Sequence, residues 1–272
     1  MTEVSWRSLG IDASVPNIAR MYDYWLGGKD NFAADREAAD RQARAIPQIP
    51  LLARQNRAFL SRAVRFCAAE GITQFLDIGS GLPTSQNVHE VAQRINPDSR
   101  VAYADIDPIV ISHARALLAG PLTAAIRGDL CRPDDILGAP ELRQLIDFGQ
   151  PVAVLILAVL HAIPDEADPA GCVARLRHAM APGSYLVISH ADVSPAHAAG
   201  TRRLTQAARE LEEASALANV PARTRDEIAG FFGDLTLVEP GLTDVWAWRP
   251  EGTTDTTTSE FMRILGGVAR KD

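Results

Sequence analysis

The sequence predicts a doubly wound α/β domain, in which a mostly parallel sheet of seven strands is covered by helices and preceded by a helical cap. From residue 72 onward, continuous apolar runs alternate with helical stretches, as expected for parallel strands buried on both faces. From about Pro16 to Gly71 the chain shows helical periodicity and helix-ending residues. We therefore divide the chain into a cap, residues 1–71, and a sheet domain, residues 72–272.

The predicted cap consists of three helices. The first begins near Pro16, because proline suits the first turn of a helix, and Gly27 can end it in the left-handed conformation. Four side chains at spacings of three, four and seven share one face, which we expect to be buried: Ile18, Met21, Tyr22 and Trp25. A second helix, capped by Asp30 or Asn31, continues to about residue 45, and a third spans 51–71.

The sheet domain contains seven predicted strands. They are 75–79, 100–105, 122–129, 152–157, 184–190, 235–239 and 264–271. The intervening helices are predicted near 85–96, 108–119, 133–148, 167–180 and 196–218, and a capping box at Thr224 opens a last helix that stops near Gly233. Between the last two strands we expect a mobile, threonine-rich loop at 253–259.

Composition and charge disfavour several classes of function. The formal net charge is −7 and no dense Lys/Arg run occurs, so we expect no nucleic-acid partner and no anionic membrane surface. No signal-like leader is present and no apolar run approaches the roughly 20 residues that span a bilayer, which favours a cytoplasmic protein. Three dispersed cysteines lack metal-ligand spacing, so we expect neither a metal nor a disulfide: Cys67, Cys131 and Cys172.

The residues that end the strands carry the predicted chemistry, because ligands bind outside the carboxyl ends of strands in an open α/β sheet. The first strand leads into Asp77-Ile78-Gly79-Ser80-Gly81, where glycines let the backbone turn sharply and approach a ligand. The second ends at Asp105, whose carboxylate can accept from both hydroxyls of a ribose. After the third, Asp129 can accept from an exocyclic amine while the Leu130 N–H serves a ring nitrogen. This order predicts a nucleotide-like ligand.

Two classes of nucleotide cofactor compete for this site. A dinucleotide fingerprint needs a third glycine and an acidic residue about 20 positions further on. The chain instead offers Gly79-Ser80-Gly81-Leu82-Pro83-Thr84, and Asp105 lies 26 residues past Gly79. The pattern therefore disfavours a dinucleotide oxidoreductase.

The same order of residues resembles the class I S-adenosylmethionine-dependent methyltransferases. Their first motif is matched by Asp77, Gly79 and Gly81, their acid at the end of strand two by Asp105, and their adenine-side acid by Asp129. Four segments also look like a bacterial family assigned to S-adenosyl methyltransferases by sequence, with a generally unassigned substrate: PNIARMYDYWLGGKDNF, FLDIGSGLPTSQNVHE, VLHAIPDE and GSYLVISH. The resemblance implies a Rossmann-like class I fold and S-adenosylmethionine as cofactor, without naming the methyl acceptor.

The resemblance extends the expected cofactor site to Ser80 and Ile106, which adjoin the matched motifs. Asp107 is expected either to share the ribose or to cap the helix that follows it. Methyl transfer from a sulfonium is an in-line displacement that needs alignment above all, and sometimes a general base. His161 and His190 are the candidates for such a base because both lie at or just after strand ends, although either can instead be a packing histidine. The remaining histidines lie on predicted helices and are expected at the surface or in packing: His89, His113, His178 and His197.

The first helix and the turn after it hold polar residues that packing alone does not explain. Of the 27 basic residues only Lys29 and Lys271 are lysines, so Lys29 is unusual in this chain. We interpret four residues as a lid over the cofactor and a small-molecule acceptor: Tyr22, Tyr24, Lys29 and Asn31. Tyr22 and Lys29 are expected at the cofactor, since a compact ammonium can pair with its methionyl carboxylate. The alternatives are a packed helix with no role in binding and, for the whole chain, a module that senses the nucleotide without transferring a methyl group.

Overall fold

The architecture is seen in a computed structural model, which describes residues 12–84, 86–118, 120–192, 221, 223–252 and 262–272. The helix predicted at 196–218 and the loop predicted at 253–259 lie outside these residues.

A single mixed sheet organises the described chain. Its strands are β1 (Gln74–Ile78), β2 (Arg100–Asp105), β3 (Thr123–Arg127), β4 (Ala153–Leu157), β5 (Tyr185–Asp192), β6 (Thr236–Leu237), β7 (Thr243–Asp244) and β8 (Arg263–Arg270). Their order is β3-β2-β1-β4-β5-β8-β6, with β7 also paired to β8. The first five strands are parallel, and β8 runs antiparallel to β5. The predicted doubly wound, mostly parallel α/β fold is confirmed.

Two short strands occupy the seventh position of the sheet, where one strand was expected at 235–239. β6 pairs with the carboxyl-terminal end of β8, and β7 pairs with residues nearer its middle. Pro240 lies between them and has no backbone N–H to donate, which ends the ladder after β6. The described sheet therefore has eight strands in seven positions.

The strand order reverses between β1 and β4, and this places the ligand-binding edge. From β1 the chain proceeds to β2 and β3 on one side, then returns to β4 and β5 on the other. Adjacent residues of β1 enter opposite cores: Leu76 and Ile78 belong to the cluster on one face, and Phe75 to the cluster on the other. The carboxyl ends of β1 and β4 are thus separated by a crevice of the kind that binds ligands in open α/β sheets.

Helices cover both faces of the sheet. They are α4 (Val88–Gln93), α5 (Pro108–Leu117), α6 (Pro133–Gly138), α7 (Pro140–Leu145), α8 (Pro169–Ala179) and α9 (Arg225–Gly230). The helix predicted over 133–148 is divided, because Pro140 forces the preceding Ala139 into an extended conformation. The capping box at Thr224 is present and opens α9 as predicted.

The three helices predicted before residue 72 are present as α1 (Ile18–Trp25), α2 (Ala33–Ala45) and α3 (Ile49–Ala69). The Asn17 side chain caps α1 by accepting from the backbone N–H groups of Ala19 and Arg20, and Gly27 follows the helix with φ +83°. α2 begins after Phe32 rather than at Asp30 or Asn31, because the Asp35 carboxylate accepts from the Phe32 backbone N–H at 2.8 Å. α3 packs directly on the sheet core.

The buried face of α1 differs from the predicted one. Only Met21 of the four expected side chains is fully buried, and Ile18 is 37% exposed. Arg20 and Asp23 are buried instead. Arg20 forms an ion pair with Asp35 on α2 at 2.9 Å, so a charge enters the interior with a partner of opposite sign.

Candidate active site

A cleft of about 450 Å³ opens at the carboxyl ends of β1, β2 and β4. Its floor and walls come from strand ends and the turns after them, at 77–81, 105–107, 128–131, 157–159 and 162–164. Helices of the cap form the remaining wall, through residues 17–19 and 22 of the α1 region and residues 56, 57 and 60 of α3. The volume lies within the roughly 300–1,000 Å³ of small-molecule sites.

The glycine turn after β1 has the geometry of a ligand cradle. Gly79 and Gly81 adopt φ +71° and +65°, a region that favours glycine. A Cβ on Gly79 would lie 2.1 Å from the Val159 side chain, whereas a Cβ on Gly81 would meet nothing within 4 Å. Gly79 is therefore required for packing of the turn, and Gly81 leaves open space beside the cleft. Ser80, between them, also lines the cleft.

Asp105 lies in the cleft and also supports the glycine turn. One carboxylate oxygen accepts from the Gly81 N–H at 2.9 Å and the other from the Asp107 N–H at 2.9 Å. Burial raises its pKa, against the lowering effect of these backbone hydrogen bonds. Each oxygen keeps a further lone pair, so the carboxylate can still accept from ligand hydroxyls. Beside it, Ile106 presents an apolar side chain that is 60% exposed.

Asp107 adopts one of its two expected roles. Its carboxylate accepts from the Ile109 backbone N–H at 2.7 Å and caps the N-terminus of α5. It also lines the cleft, beside Asp105.

Asp129 lies two residues beyond the end of β3, at the next position along the same edge. One of its carboxylate oxygens accepts from the Cys131 backbone N–H at 2.9 Å, which fixes the turn. Leu130 is buried and lines the cleft with it. The three acidic residues predicted from the strand ends are therefore brought together in one cleft.

Among the described residues that line the cleft, Asp77 is the carboxyl group with the most strongly shifted pKa. It is 4% exposed, and burial raises its pKa to about 7, with a smaller raising effect from Asp105. The Arg57 guanidinium opposes this shift. Arg57 projects from α3, lines the cleft and donates to Asn87 Oδ1 at 3.3 Å. It was not predicted, because no sequence motif marks a cleft residue in the middle of α3.

Of the four residues interpreted as a lid, the structure places Tyr22 at the cleft. Its hydroxyl donates to the Ala53 backbone oxygen at 2.9 Å and accepts from Asn56 Nδ2 at 3.1 Å. Tyr24 instead donates to Asp40 on α2 at 3.2 Å. Lys29 is exposed and is not among the residues that line the cleft.

The Gly-Gly-Lys-Asp-Asn segment forms a turn around the buried carboxylate of Asp23. One oxygen of Asp23 accepts from the Asp30 backbone N–H at 3.0 Å and from Asn31 Nδ2 at 2.8 Å. A Cβ on Gly28 would lie 1.9 Å from the other oxygen. Asn31 and Gly28 are thus explained by the contacts of this turn, which joins α1 to α2.

The two histidines predicted as candidate bases lie behind the cleft wall, and neither is among its lining residues. His190 is fully buried, its Nδ1 donates to the Ala191 oxygen at 2.6 Å and its Nε2 accepts from Arg223 at 3.1 Å. Burial lowers the pKa of His190 to about 3 and that of His161 to about 4. His161 accepts from the Ala191 N–H at 3.4 Å. Both rings are therefore neutral at physiological pH.

Arg223 is a further residue that sequence reasoning missed. Its guanidinium is buried and donates to the backbone oxygens of Leu160 and Ile163 at 2.6 and 2.8 Å. It also pairs with Asp165 at 2.6 Å. These contacts fix the turn after β4, part of which lines the cleft. Only the folded chain brings Arg223 to a turn about 60 residues earlier, so its role has no local sequence signal.

The other described histidines lie on helices, as predicted. His89 Nδ1 is 2.8 Å from the Tyr103 hydroxyl, and His113 is 3.8 Å from Asp30. His178 lies in the last turn of α8. His197 lies outside the described residues.

Among the residues that the structure describes, no group of three or more His, Cys, Asp or Glu residues is arranged to hold a metal ion. None of the helices that the structure describes has the length and apolar character needed to cross a membrane.

Two solved structures resemble the chain over nearly its whole length. A DUF574 family protein from Streptomyces avermitilis MA-4680 is 41% identical with a TM-score of 0.88, over 96% of this chain and 99% of that one. A protein from Thermobifida fusca YX assigned as a methyltransferase is 44% identical with a TM-score of 0.88, over 99% of this chain and 100% of that one. No curated protein sequence matches.

A more distant structure shares the fold. The N-methyltransferase NodS from Bradyrhizobium japonicum WM9, solved with S-adenosyl-L-homocysteine, is 15% identical with a TM-score of 0.50, over 93% of this chain and 98% of that one. The fold is that of class I methyltransferases, and the model of the S-adenosyl methyltransferase family matches residues 4–272. The chain therefore belongs to the S-adenosyl methyltransferase family, and it is a methyltransferase that uses S-adenosylmethionine as its cofactor.

Proposed function

We propose that the chain transfers the cofactor's methyl group to a small-molecule acceptor held in the cleft between the strand ends and the cap. The observation that carries this proposal is that the glycine turn and three strand-end acids converge in one cleft, of which α1 and α3 form a wall. A cleft of about 450 Å³ walled by two helices suits a small acceptor better than a macromolecular one. The net charge of −7 also disfavours a nucleic-acid acceptor.

The cofactor's orientation follows from the donors and acceptors along the cleft. Asp105 is proposed to accept from the ribose hydroxyls, with Ile106 against one face of the base. Asp129 is proposed to accept from the adenine amine and the Leu130 N–H to serve a ring nitrogen, which places the nucleoside toward β2 and β3.

The methionyl end then lies toward β1 and α3. Arg57 is the cation among the cleft-lining residues that the structure describes, so we assign the methionyl carboxylate to it in place of Lys29. The charge of Arg57 also acts on the pKa of Asp77. We assign the Asp77 carboxylate as the partner of the cofactor's α-ammonium. The residues present therefore fit a zwitterionic amino-acid group at this end of the cleft.

Catalysis in this arrangement rests on alignment and on exclusion of water. The bound cofactor supplies an electrophilic methyl group on a sulfonium. Residues 157–159 at the end of β4 and the α1 and α3 side chains line this cleft, where they would exclude water and favour an in-line approach of the acceptor to that methyl group. Ala158 is held in this wall with φ +56° by hydrogen bonds from its N–H to the Ser189 hydroxyl and backbone oxygen at 3.0 and 3.1 Å. That His161 or His190 acts as a general base stays a prediction. Neither ring lines the cleft, so an acceptor would have to pass the lining residues to reach it.

Two measurements test this function. In calorimetry we expect S-adenosylmethionine and S-adenosylhomocysteine to bind and NAD not to bind. In a cell extract incubated with methyl-labelled cofactor, we expect chromatography of the dialysable fraction to show a labelled compound distinct from the cofactor, and to show it only when the protein is added. Label confined to protein or nucleic acid would contradict a small-molecule acceptor, and binding without any transfer would favour the sensing module instead.

A further inference from the structure

Asn56 on α3 carries a buried polar atom that the fold leaves without a partner. The residue is 4% exposed and lines the cleft. Its Nδ2 donates to the Tyr22 hydroxyl at 3.1 Å. Its Oδ1 is buried and accepts no hydrogen bond from any residue that the structure describes. A buried carbonyl oxygen without a donor is unfavourable, so a ligand that supplies a donor gains from meeting it.

The orientation of the Asn56 amide is set by its neighbours. Tyr22 has a single hydroxyl proton, which it donates to the Ala53 backbone oxygen at 2.9 Å. The Tyr22 oxygen can therefore only accept from Asn56, and this requires Nδ2 on that side. A rotated amide would bring two acceptors together. The hydrogen-bond chain from Ala53 through Tyr22 thus leaves Oδ1 as the amide atom without a partner among the described residues.

The surroundings of Asn56 indicate which donor it would meet. The next residue, Arg57, lines the cleft together with Tyr22 and Asp77, and its charge opposes the rise that burial causes in the pKa of each. The lining residues there and along the strand ends include four aspartates, Asp77, Asp105, Asp107 and Asp129. This environment favours a cationic donor, and an ammonium has three N–H groups to distribute.

We propose that Asn56 Oδ1 accepts a hydrogen bond from the α-ammonium at the cofactor's methionyl end, and that Tyr22 of the cap orients Asn56 for it. This assignment rests on the function proposed above. Asp77 takes a second N–H of the same ammonium. Asn56 on α3 would therefore discriminate between ligands with and without an amino group. Through Tyr22, α1 would contribute to this selection of the cofactor.

The test compares two ligands on wild-type protein and on Asn56→Leu. S-adenosylhomocysteine carries the ammonium, and its desamino analogue keeps the carboxylate and lacks the ammonium. By calorimetry we expect Asn56→Leu to reduce the affinity for S-adenosylhomocysteine about tenfold, which corresponds to the loss of one hydrogen bond to a charged group. The affinity for the desamino analogue should change by no more than about twofold. Equal weakening of both ligands, or unchanged binding of S-adenosylhomocysteine, would overturn the proposal.

Two further variants separate this role from a structural one. Asn56→Asp keeps an acceptor oxygen and should retain more affinity for S-adenosylhomocysteine than Asn56→Leu does. Tyr22→Phe removes the group that orients the amide, so it should produce a smaller loss confined to the ammonium-bearing ligand. A loss for both ligands in Tyr22→Phe would overturn the role of Tyr22. Failure of the wild-type protein to bind S-adenosylhomocysteine would instead refute the proposed function itself.

Discussion

Two buried carboxyl groups in the cleft, those of Asp77 and Asp105, have raised pKa values. Burial raises the pKa of Asp77 to about 7 although Arg57 is near, so the group changes charge within the physiological range. Asp105 is also buried and has its pKa raised, but its carboxylate accepts from two backbone N–H groups. The Asp77 carboxylate is therefore available to a ligand's charge, while the Asp105 carboxylate also holds the glycine turn.

The raised pKa of Asp77 predicts that cofactor affinity depends on pH. Below the pKa the free protein carries a neutral Asp77, and an ammonium favours the ionised form, so binding must expel a proton. The affinity for S-adenosylhomocysteine should therefore fall by up to about tenfold for each pH unit below 7 and level off above it. Calorimetric titrations between about pH 5.5 and 8 measure this. Asp77→Asn should bind more weakly with a flatter profile, and an unchanged slope in that variant would exclude Asp77 as the titrating group.

A second residue-scale prediction ranks the two nucleoside-side acids. Asp105→Ala removes an acceptor of charge-assisted hydrogen bonds worth about 1.5–3 kcal/mol each, and should reduce S-adenosylhomocysteine affinity below detection. Asp129→Asn keeps an amide oxygen that can accept from the adenine amine, so it should weaken binding less.

Asp105→Ala should also lower stability, because the Gly81 and Asp107 N–H groups lose their acceptor. Circular dichroism melting of each variant separates this effect from the loss of binding. The opposite ranking of affinities would place the adenine elsewhere.

Among the elements, the turn between α1 and α2 shows how packing explains a segment that first suggested a lid. Hydrophobic periodicity placed α1 correctly but not its buried face, because Arg20 and Asp23 enter the interior with partners from other segments. Periodicity detects apolar side chains only. The strand-end acids were predictable because the sheet topology alone brings them to one edge, whereas Asn56, Arg57 and Arg223 reach the site through tertiary packing.

The turn around Asp23 predicts very unequal effects on stability for substitutions at two adjacent residues. In Gly28→Ala the new Cβ would meet the Asp23 carboxylate, so unfolding in urea should show a loss of about 1–3 kcal/mol, as for other overpacked sites. Lys29→Ala changes an exposed side chain and should alter stability by no more than about 0.5 kcal/mol.

Lys29→Ala also serves as the matched control for a lid. We expect S-adenosylhomocysteine to raise the melting temperature of Lys29→Ala as much as that of the wild type, since Arg57 is assigned to the carboxylate. A clearly smaller ligand-induced shift would return Lys29 to the cofactor site.

For the whole molecule, the reversal of strand order between β1 and β4 connects the fold to the chemistry. It opens the crevice in which the glycine turn, Asp105 and Asp129 meet, and the cap supplies α1 and α3 as the outer wall. Alternating apolar runs and helices predicted this architecture because a parallel sheet must be covered on both faces. They did not predict the division of the seventh strand position between β6 and β7, which depends on the local sequence around Pro240.

The most direct test of this account is a crystal structure of the protein with S-adenosylhomocysteine. We predict that the ligand lies in the cleft with its ribose hydroxyls on Asp105, its adenine beside Asp129 and Leu130, and its amino-acid end between Arg57 and Asp77. A ligand bound outside this cleft, or bound in it with the adenine toward α3, would contradict the account.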